Sequence, residues 1–163
     1  MNLNDVILSI IEDNKNEVEK RYGGKVKLSF EPKEDHVPIE ADKNRLSQVL
    51  SNLISNAVKF TKEGTITVNV ERGDSGSNNK NSNNNNKDEE DVIVSVKDTG
   101  TGIDPEILSR LFSKFATKSE KGTGLGLYIS KSIIEAHGGR IWAENYEYDG
   151  KKGAVFAFSL PLK

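Results

Sequence analysis

The sequence predicts an α+β fold, a two-layer sandwich in which a mixed, mostly antiparallel sheet packs on helices. Three observations carry this expectation. Val26, Leu28 and Phe30, then Ile66, Val68 and Val70, then Val92, Val94 and Val96 alternate with polar residues, the period-two pattern of half-buried strands. Two segments, 5–20 and 42–61, instead repeat apolar residues at helical spacing. The last two strand-like segments, 140–144 and 154–160, are joined by a turn at Asp149-Gly150. Helices and strands are therefore mixed in order, which gives one sheet and a helical layer.

The elements follow in chain order. Val6, Ile7, Ile10, Ile11 and Val18 make an amphipathic first helix over 5–20 with Asp5 as its cap, and Arg21-Tyr22-Gly23-Gly24 stops it. The strand at 26–30 follows, then a short strand at Pro38–Ala41. Asp42 caps a long helix whose apolar face is Leu46, Val49, Leu50, Leu53, Ile54, Ala57 and Val58, with Gly64 ending it. Residues 72–90, with their Asn-rich run, cannot bury enough apolar surface to offset ordering entropy. They are read as a disordered hairpin loop within one domain spanning 1–163. Asp104-Pro105 opens a helix carrying Ile107, Leu108, Leu111, Phe112 and Phe115, with Asp at the cap and Pro in the first turn. A Gly-rich turn at 122–127 enters a further helix, which runs to about His137 and ends at Gly138-Gly139.

Composition narrows the function. The 163 residues carry 34% hydrophobic and 29% charged residues, a net charge of −2 and a pI of about 5.8, with no basic stripe for a nucleic acid to follow. Cysteine is absent, which excludes disulfides and thiolate metal sites and fits a cytoplasmic setting. No apolar run approaches the roughly 18 residues of a membrane span, and Met1-Asn2-Leu3-Asn4-Asp5 has no basic leader region, so neither membrane contact nor export is expected.

Three features carry chemistry. Asn52, Asn56 and Lys59 fall within about 60° of one another on the long helix, away from its apolar face. An Asn amide oxygen can ligate Mg²⁺ without adding negative charge beside phosphates, and Lys59 brings a point charge toward them. Taken alone, the stripe reads more readily as a solvated helix face. Asp98-Thr99-Gly100-Thr101-Gly102 follows a strand directly. Its glycines let the backbone approach a ligand, and a buried Asp98 carboxylate, which only accepts hydrogen bonds, suits the exocyclic amine of adenine. An ordinary Asp-Gly turn is the alternative. Gly122, Thr123, Gly124, Leu125, Gly126 and Leu127 enter a helix, where backbone N–H groups and the dipole suit phosphate; a flexible loop is the alternative. A P-loop is excluded because no Gly-Lys-Ser/Thr occurs. A dinucleotide fingerprint is excluded because its third glycine would fall on Pro105.

Together the three features are far more specific. Asn52-Leu53-Ile54-Ser55-Asn56-Ala57-Val58-Lys59-Phe60 resembles the N box of sensor histidine kinases, Asp98 to Gly102 the G1 box, Phe112-Ser113-Lys114-Phe115 the F box and Gly122 to Leu127 the G2 box. The resemblance covers roughly 40–163 outside the Asn-rich loop and implies the Bergerat ATP-binding fold shared with gyrase, Hsp90 and MutL. It implies that ATP and Mg²⁺ bind here, with Asn56 the metal ligand and Asn52 beside it. Lys59 faces phosphate, Phe60 packs by the adenine and Asp98 reads its amine. Gly100, Gly102 and Ile103 join the cofactor-binding residues, and 103–121 form a mobile lid. The lid's basic residue does not align securely; Lys114, Lys118 and Lys121 are the candidates, of which Lys118 is taken for the nucleotide site.

The ATPases of this fold carry a water-activating Glu where this chain has Asn52, and Asn is no general base near neutral pH. The resemblance is thus to the kinases, with the γ-phosphoryl going to a histidine on a separate dimerisation domain and indirectly to a response regulator. A nucleotide-binding regulatory module without transfer stays open, as, less favoured, does a gyrase-type ATPase. No His-Glu or His-Asp helix occurs. His36 precedes Val37-Pro38, a context that disfavours helix, and His137 sits at a helix end, where a cationic ring suits the dipole. Tyr128 and Trp142 are read as packing residues. Without a dimerisation helix pair the chain is expected to be a monomer.

Overall fold

The architecture follows from a helix that carries its apolar residues on one side and strands that carry theirs on one face. In the computed structural model the described residues are 1–73, 90–114 and 125–162. They form α1 (Leu3–Tyr22), β1 (Val26–Pro32), α2 (Lys43–Phe60), β2 (Gly64–Gly73), β3 (Asp91–Asp98), α3 (Pro105–Leu108), α4 (Gly126–Ala136), β4 (Arg140–Tyr148) and β5 (Lys151–Pro161).

The strands make one five-stranded sheet in the order β1-β2-β3-β5-β4. β1 and β2 are parallel, joined through α2; the other three pairs are antiparallel. The register brings Leu28, Ile66, Val68, Val70, Val92, Val94, Val96, Phe156, Phe158 and Leu160 to a common face, all buried. Against it lies α2, whose Leu46, Val49, Leu50, Leu53, Ile54 and Ala57 are buried as their spacing requires. α1 and α4 flank α2 in the helical layer. Replacing fully buried Leu53 by Ala is expected to cost about 2–5 kcal/mol, read from urea denaturation. A loss under about 1 kcal/mol would contradict this placement of the core.

Several boundaries differ from the sequence reading. Asn2, not Asp5, caps α1: its side chain accepts from the Asn4 N–H. The same Asn2 oxygen accepts from the Val37 N–H, and segment 38–41 is tied to the start of the chain by the Ile39 N–H bond to Met1 O. It therefore makes a single bridge, Asn2–Pro38, instead of a strand. α2 ends at Phe60 with Thr61 as its C-cap, and Gly64 opens β2. Arg72 and Gly73 still pair with Val92 and Asp91, so the hairpin ladder runs into the polar segment; 74–89 lie outside the described residues. Asp104 caps α3 as expected, but α3 is one turn long, continued by separate turns at Arg110 and Ser113. A helix this short gains little from its few hydrogen bonds, and Ile107, Leu108 and Phe112 pack on the core from turns instead. Phe115 lies outside the described residues. β4 and β5 run longer than their apolar parts, up to Asp149 and Gly150, whose φ of 47° and 76° make the tight turn that matches strand twist.

His137 holds two helices together. Its Nδ1 lies 2.8 Å from the Ile133 carbonyl and its Nε2 accepts from the Asp42 N–H at 3.1 Å. A carbonyl only accepts and an amide N–H only donates, so the ring is neutral with its proton on Nδ1. This corrects the cationic reading: the ring ties the end of α4 to the start of α2.

Candidate functional site

The Asp98 loop docks on the C-terminal end of α2, the helix that carries Asn52, Asn56 and Lys59. Val58 O, near that end, accepts from the Tyr22 hydroxyl and from the Thr61 N–H, and Phe60 O accepts from the Thr101 N–H at 3.3 Å. These bonds satisfy carbonyls a helix end leaves open and dock the 98–102 loop onto α2. Gly100 is needed at that contact. A Cβ there would overlap the Phe60 carbonyl oxygen and lie 2.9 Å from Thr61 Oγ1. The missing side chain thus serves the approach of loop to helix, where the sequence suggested approach to a ligand.

Asp98 ends β3 on the helical face and is 1% exposed. Its Oδ1 accepts from the Gly100 N–H at 2.9 Å and from the Ala154 N–H at 3.4 Å. Its Oδ2 is buried with no partner among the described residues. Burial pushes the carboxyl above the usual carboxylate range, and the Gly100 and Ala154 amides offset this only in part. A buried acceptor held without a donor is costly, so the arrangement suits a ligand that brings an N–H.

The stripe separates into two roles. The Asn52 Nδ2 group donates to Gly126 O at 3.2 Å and to Ser130 Oγ at 3.1 Å. A carbonyl acceptor fixes the amide orientation, so the NH₂ ties α2 to the start of α4 and the oxygen stays uncommitted. Asn56, one turn on, is half-buried, and no side-chain partner for it occurs among the described residues. Lys59 is exposed, with its ammonium 5.7 Å from the Phe60 ring, and Phe60 is 41% exposed beside the loop. Leu125 is the N-cap position of α4, Gly126 its first residue, and Leu127 packs against the core. α4 has no side-chain cap bond at its N-terminus. Lys118, Gly122, Thr123 and Gly124 lie outside the described residues.

Three further residues shape the loop and were not singled out in the sequence. Asn145 on β4 accepts from the Ile103 N–H and donates to the Ile103 carbonyl at 2.8 Å. The Tyr146 hydroxyl donates to Asp98 O and the Tyr148 hydroxyl to Thr99 O. Only the register reveals this: Asp98 and Asn145 both pair with Ala154, from opposite sides. Asn is rare in strand interiors, and that was the one signal available. Asn145→Ala leaves both polar groups of Ile103 unpaired and is expected to cost about 1–3 kcal/mol. Amide exchange at Ile103 should rise while the β3–β5 ladder stays protected; unchanged exchange at Ile103 would contradict the clamp.

Known proteins share this sequence pattern and fold. Residues 41–163 match the family described as histidine kinase-, DNA gyrase B-, and HSP90-like ATPase. The chain belongs to this family. Among its members, the sensor histidine kinase ZraS of Salmonella typhi is 37% identical over 163 residues, covering 99% of this chain and 31% of that protein. The chain therefore spans about a third of the length of that relative. The catalytic domain of the histidine kinase ThkA superposes with a TM-score of 0.79 at 34% identity, over 99% of this chain and 93% of that one. Full-length ShkA in complex with AMPPNP gives 0.78 at 27% identity, over 99% of this chain and 30% of that one. The α+β sandwich is thus that of histidine kinase catalytic domains. Among the described residues no helix is long and apolar enough to cross a membrane.

Proposed function

We propose that the chain binds Mg-ATP between α2 and the Asp98 loop and presents its γ-phosphoryl to a histidine on a dimerisation domain outside this sequence. The observation that carries the reading is the buried, partnerless Oδ2 of Asp98. It is a lone acceptor at the site, complementary to the amine of adenine and repelled by the carbonyl of guanine.

The residues present fit a divalent cation. Among the described residues there is no group of three His, Cys, Asp or Glu that could hold one. The Asn56 amide oxygen, with the Asn52 oxygen beside it, supplies the neutral donors that Mg²⁺ combines with water and phosphate oxygens. Such a cation, when bound, neutralises phosphate charge. Lys59 adds a positive charge from the same helix, and the N-terminus of α4, which has no side-chain cap bond, favours an anion. Phe60 offers its exposed ring to the base. Gly102 and Ile103 border the base pocket through the loop that Asn145 holds. Phosphoryl transfer asks little covalent chemistry of a protein, and positioning with charge stabilisation provides most of the rate.

Asn52 also argues for transfer over hydrolysis. Its amide is no base near neutral pH, and its NH₂ is committed to Gly126 and Ser130. ATP as substrate supports a cytoplasmic setting, with a response regulator taking the phosphoryl group downstream. The test adds γ-labelled ATP and the cognate histidine-bearing domain. Acid-labile phosphohistidine is the expected product. Mg-ATP binding without any transfer would leave a nucleotide-binding module only, and rapid steady-state hydrolysis by the isolated chain would contradict the reading of Asn52.

A further inference from the structure

A helix end leaves its last carbonyls without intrahelical donors, and they are satisfied from elsewhere. At the end of α2 two donors come from distant parts of the chain. Phe60 O accepts from the Thr101 N–H of the Asp98 loop at 3.3 Å. Val58 O accepts from the Thr61 N–H at 3.4 Å, a long bond, and its closer donor is the Tyr22 hydroxyl at 3.1 Å. Tyr22 is the last residue of α1, half-buried against the core. Gly23 fixes it there by capping α1 at a φ of 56°, its N–H donating to Glu19 O. The Lys25 N–H turns back to Tyr22 O at 3.0 Å, and Lys25 O accepts from the Gly64 N–H at 2.9 Å. The ends of α1 and α2 and the start of β2 therefore share one corner.

The place of Val58 in α2 decides what this bond bears on. Asn56 stands two residues before it and Lys59 one after it. Phe60 is held separately, through its own carbonyl, by Thr101. A donor on Val58 O thus acts on the turn that carries the metal- and phosphate-facing groups more than on the base side. Core packing does not account for the hydroxyl. A phenylalanine would fill the same volume and would leave Val58 O with the long Thr61 bond among the described residues. Tyr22 also lies outside residues 41–163, the part that matches the family.

We propose that Tyr22 is a positioning residue for the phosphate end of the nucleotide site. Its hydroxyl, by holding Val58 O, fixes the last turn of α2, and with it the Asn56 amide and the Lys59 ammonium. The inference rests on the reading of α2 as the helix that binds Mg-ATP. It couples α1 to that site through one hydrogen bond between two helix ends.

The test uses calorimetric titrations of the full chain with ATP and magnesium, beside NMR titrations with adenosine, which has no phosphate. Tyr22→Phe keeps the ring and loses the hydroxyl. It is expected to weaken ATP binding about two- to tenfold, the loss of one neutral hydrogen bond, and to leave adenosine binding at the parent value. In a Lys59→Ala chain the same change should cost less, because one of the groups it positions is gone. Val18→Ala is the control for a general loosening of α1. Val18 is 4% exposed, so this truncation should lower the melting temperature more than Tyr22→Phe does, with the ATP affinity of the folded chain unchanged. Undiminished ATP binding by folded Tyr22→Phe, in a parent that binds ATP, overturns the proposal and leaves the Mg-ATP reading standing. An equal loss for ATP and adenosine overturns it too, as does a loss with Val18→Ala as large as with Tyr22→Phe, since either marks a general structural role. Failure of the parent to bind ATP at all rejects the Mg-ATP reading and this inference with it.

Discussion

Asp98→Asn is expected to weaken Mg-ATP binding about 10- to 150-fold, the range for losing a hydrogen bond to a charged group. The same change should leave the fold at least as stable as the parent at pH 7.5. Both effects come from one burial. The carboxyl is held above the usual carboxylate range because desolvation outweighs the amides of Gly100 and Ala154. A raised value in the folded state means that the stability tied to Asp98 is full below the unfolded value of about 3.9 and is lost as pH rises through the folded one. An ionised carboxylate is thus held at a cost, which an amide escapes while its oxygen still accepts from Gly100. Melting curves at a series of pH values check the sign. The variant's advantage should grow with rising pH and close below about pH 4. A variant less stable than the parent at pH 7.5, or one that binds ATP undiminished, would contradict the assignment. Stability given up at a binding site is the usual exchange for a group kept ready for its ligand.

Asn56→Ala is expected to remove the dependence of nucleotide affinity on magnesium and to lower phosphohistidine formation about 100-fold or more. Loss of a mere supporting neighbour of a bound metal costs about 10- to 100-fold, and Asn56 is proposed as a ligand. Folding should be little changed, because Asn56 is half-buried and makes no side-chain bond among the described residues. Asn52→Ala should differ. It breaks the bonds to Gly126 and Ser130, so it should lower stability as well as binding. Titrations with and without magnesium, beside urea denaturation, separate the two. An Asn56→Ala chain that keeps its magnesium dependence would refute the ligand role.

Much of the fold was legible because periodicity reports which face is buried. Ile66, Val68 and Val70, and Val92, Val94 and Val96, alternate because one side of the sheet meets α2. Element ends were less legible, since they depend on partners far along the chain. Asn2 caps α1 while also holding Val37, and Arg72 stays in β2 because Val92 lies opposite. In the site, Asn52, Asn56, Lys59 and Asp98 stand out by residue type at helical or strand-end spacing. Asn145, Tyr146 and Tyr148 did not, because their role arises only when β4 is brought to the sheet edge beside β5. The glycine at 100 was visible, but its reason, the Phe60 carbonyl, required the packed helix.

The most direct measurement is a calorimetric comparison of ATP with GTP, each with magnesium, on the folded chain. The account predicts binding of ATP and a preference over GTP of about 100-fold or more, because a buried acceptor meets an amine in one base and a carbonyl in the other. Equal binding of the two nucleotides, or no binding of either, would contradict it.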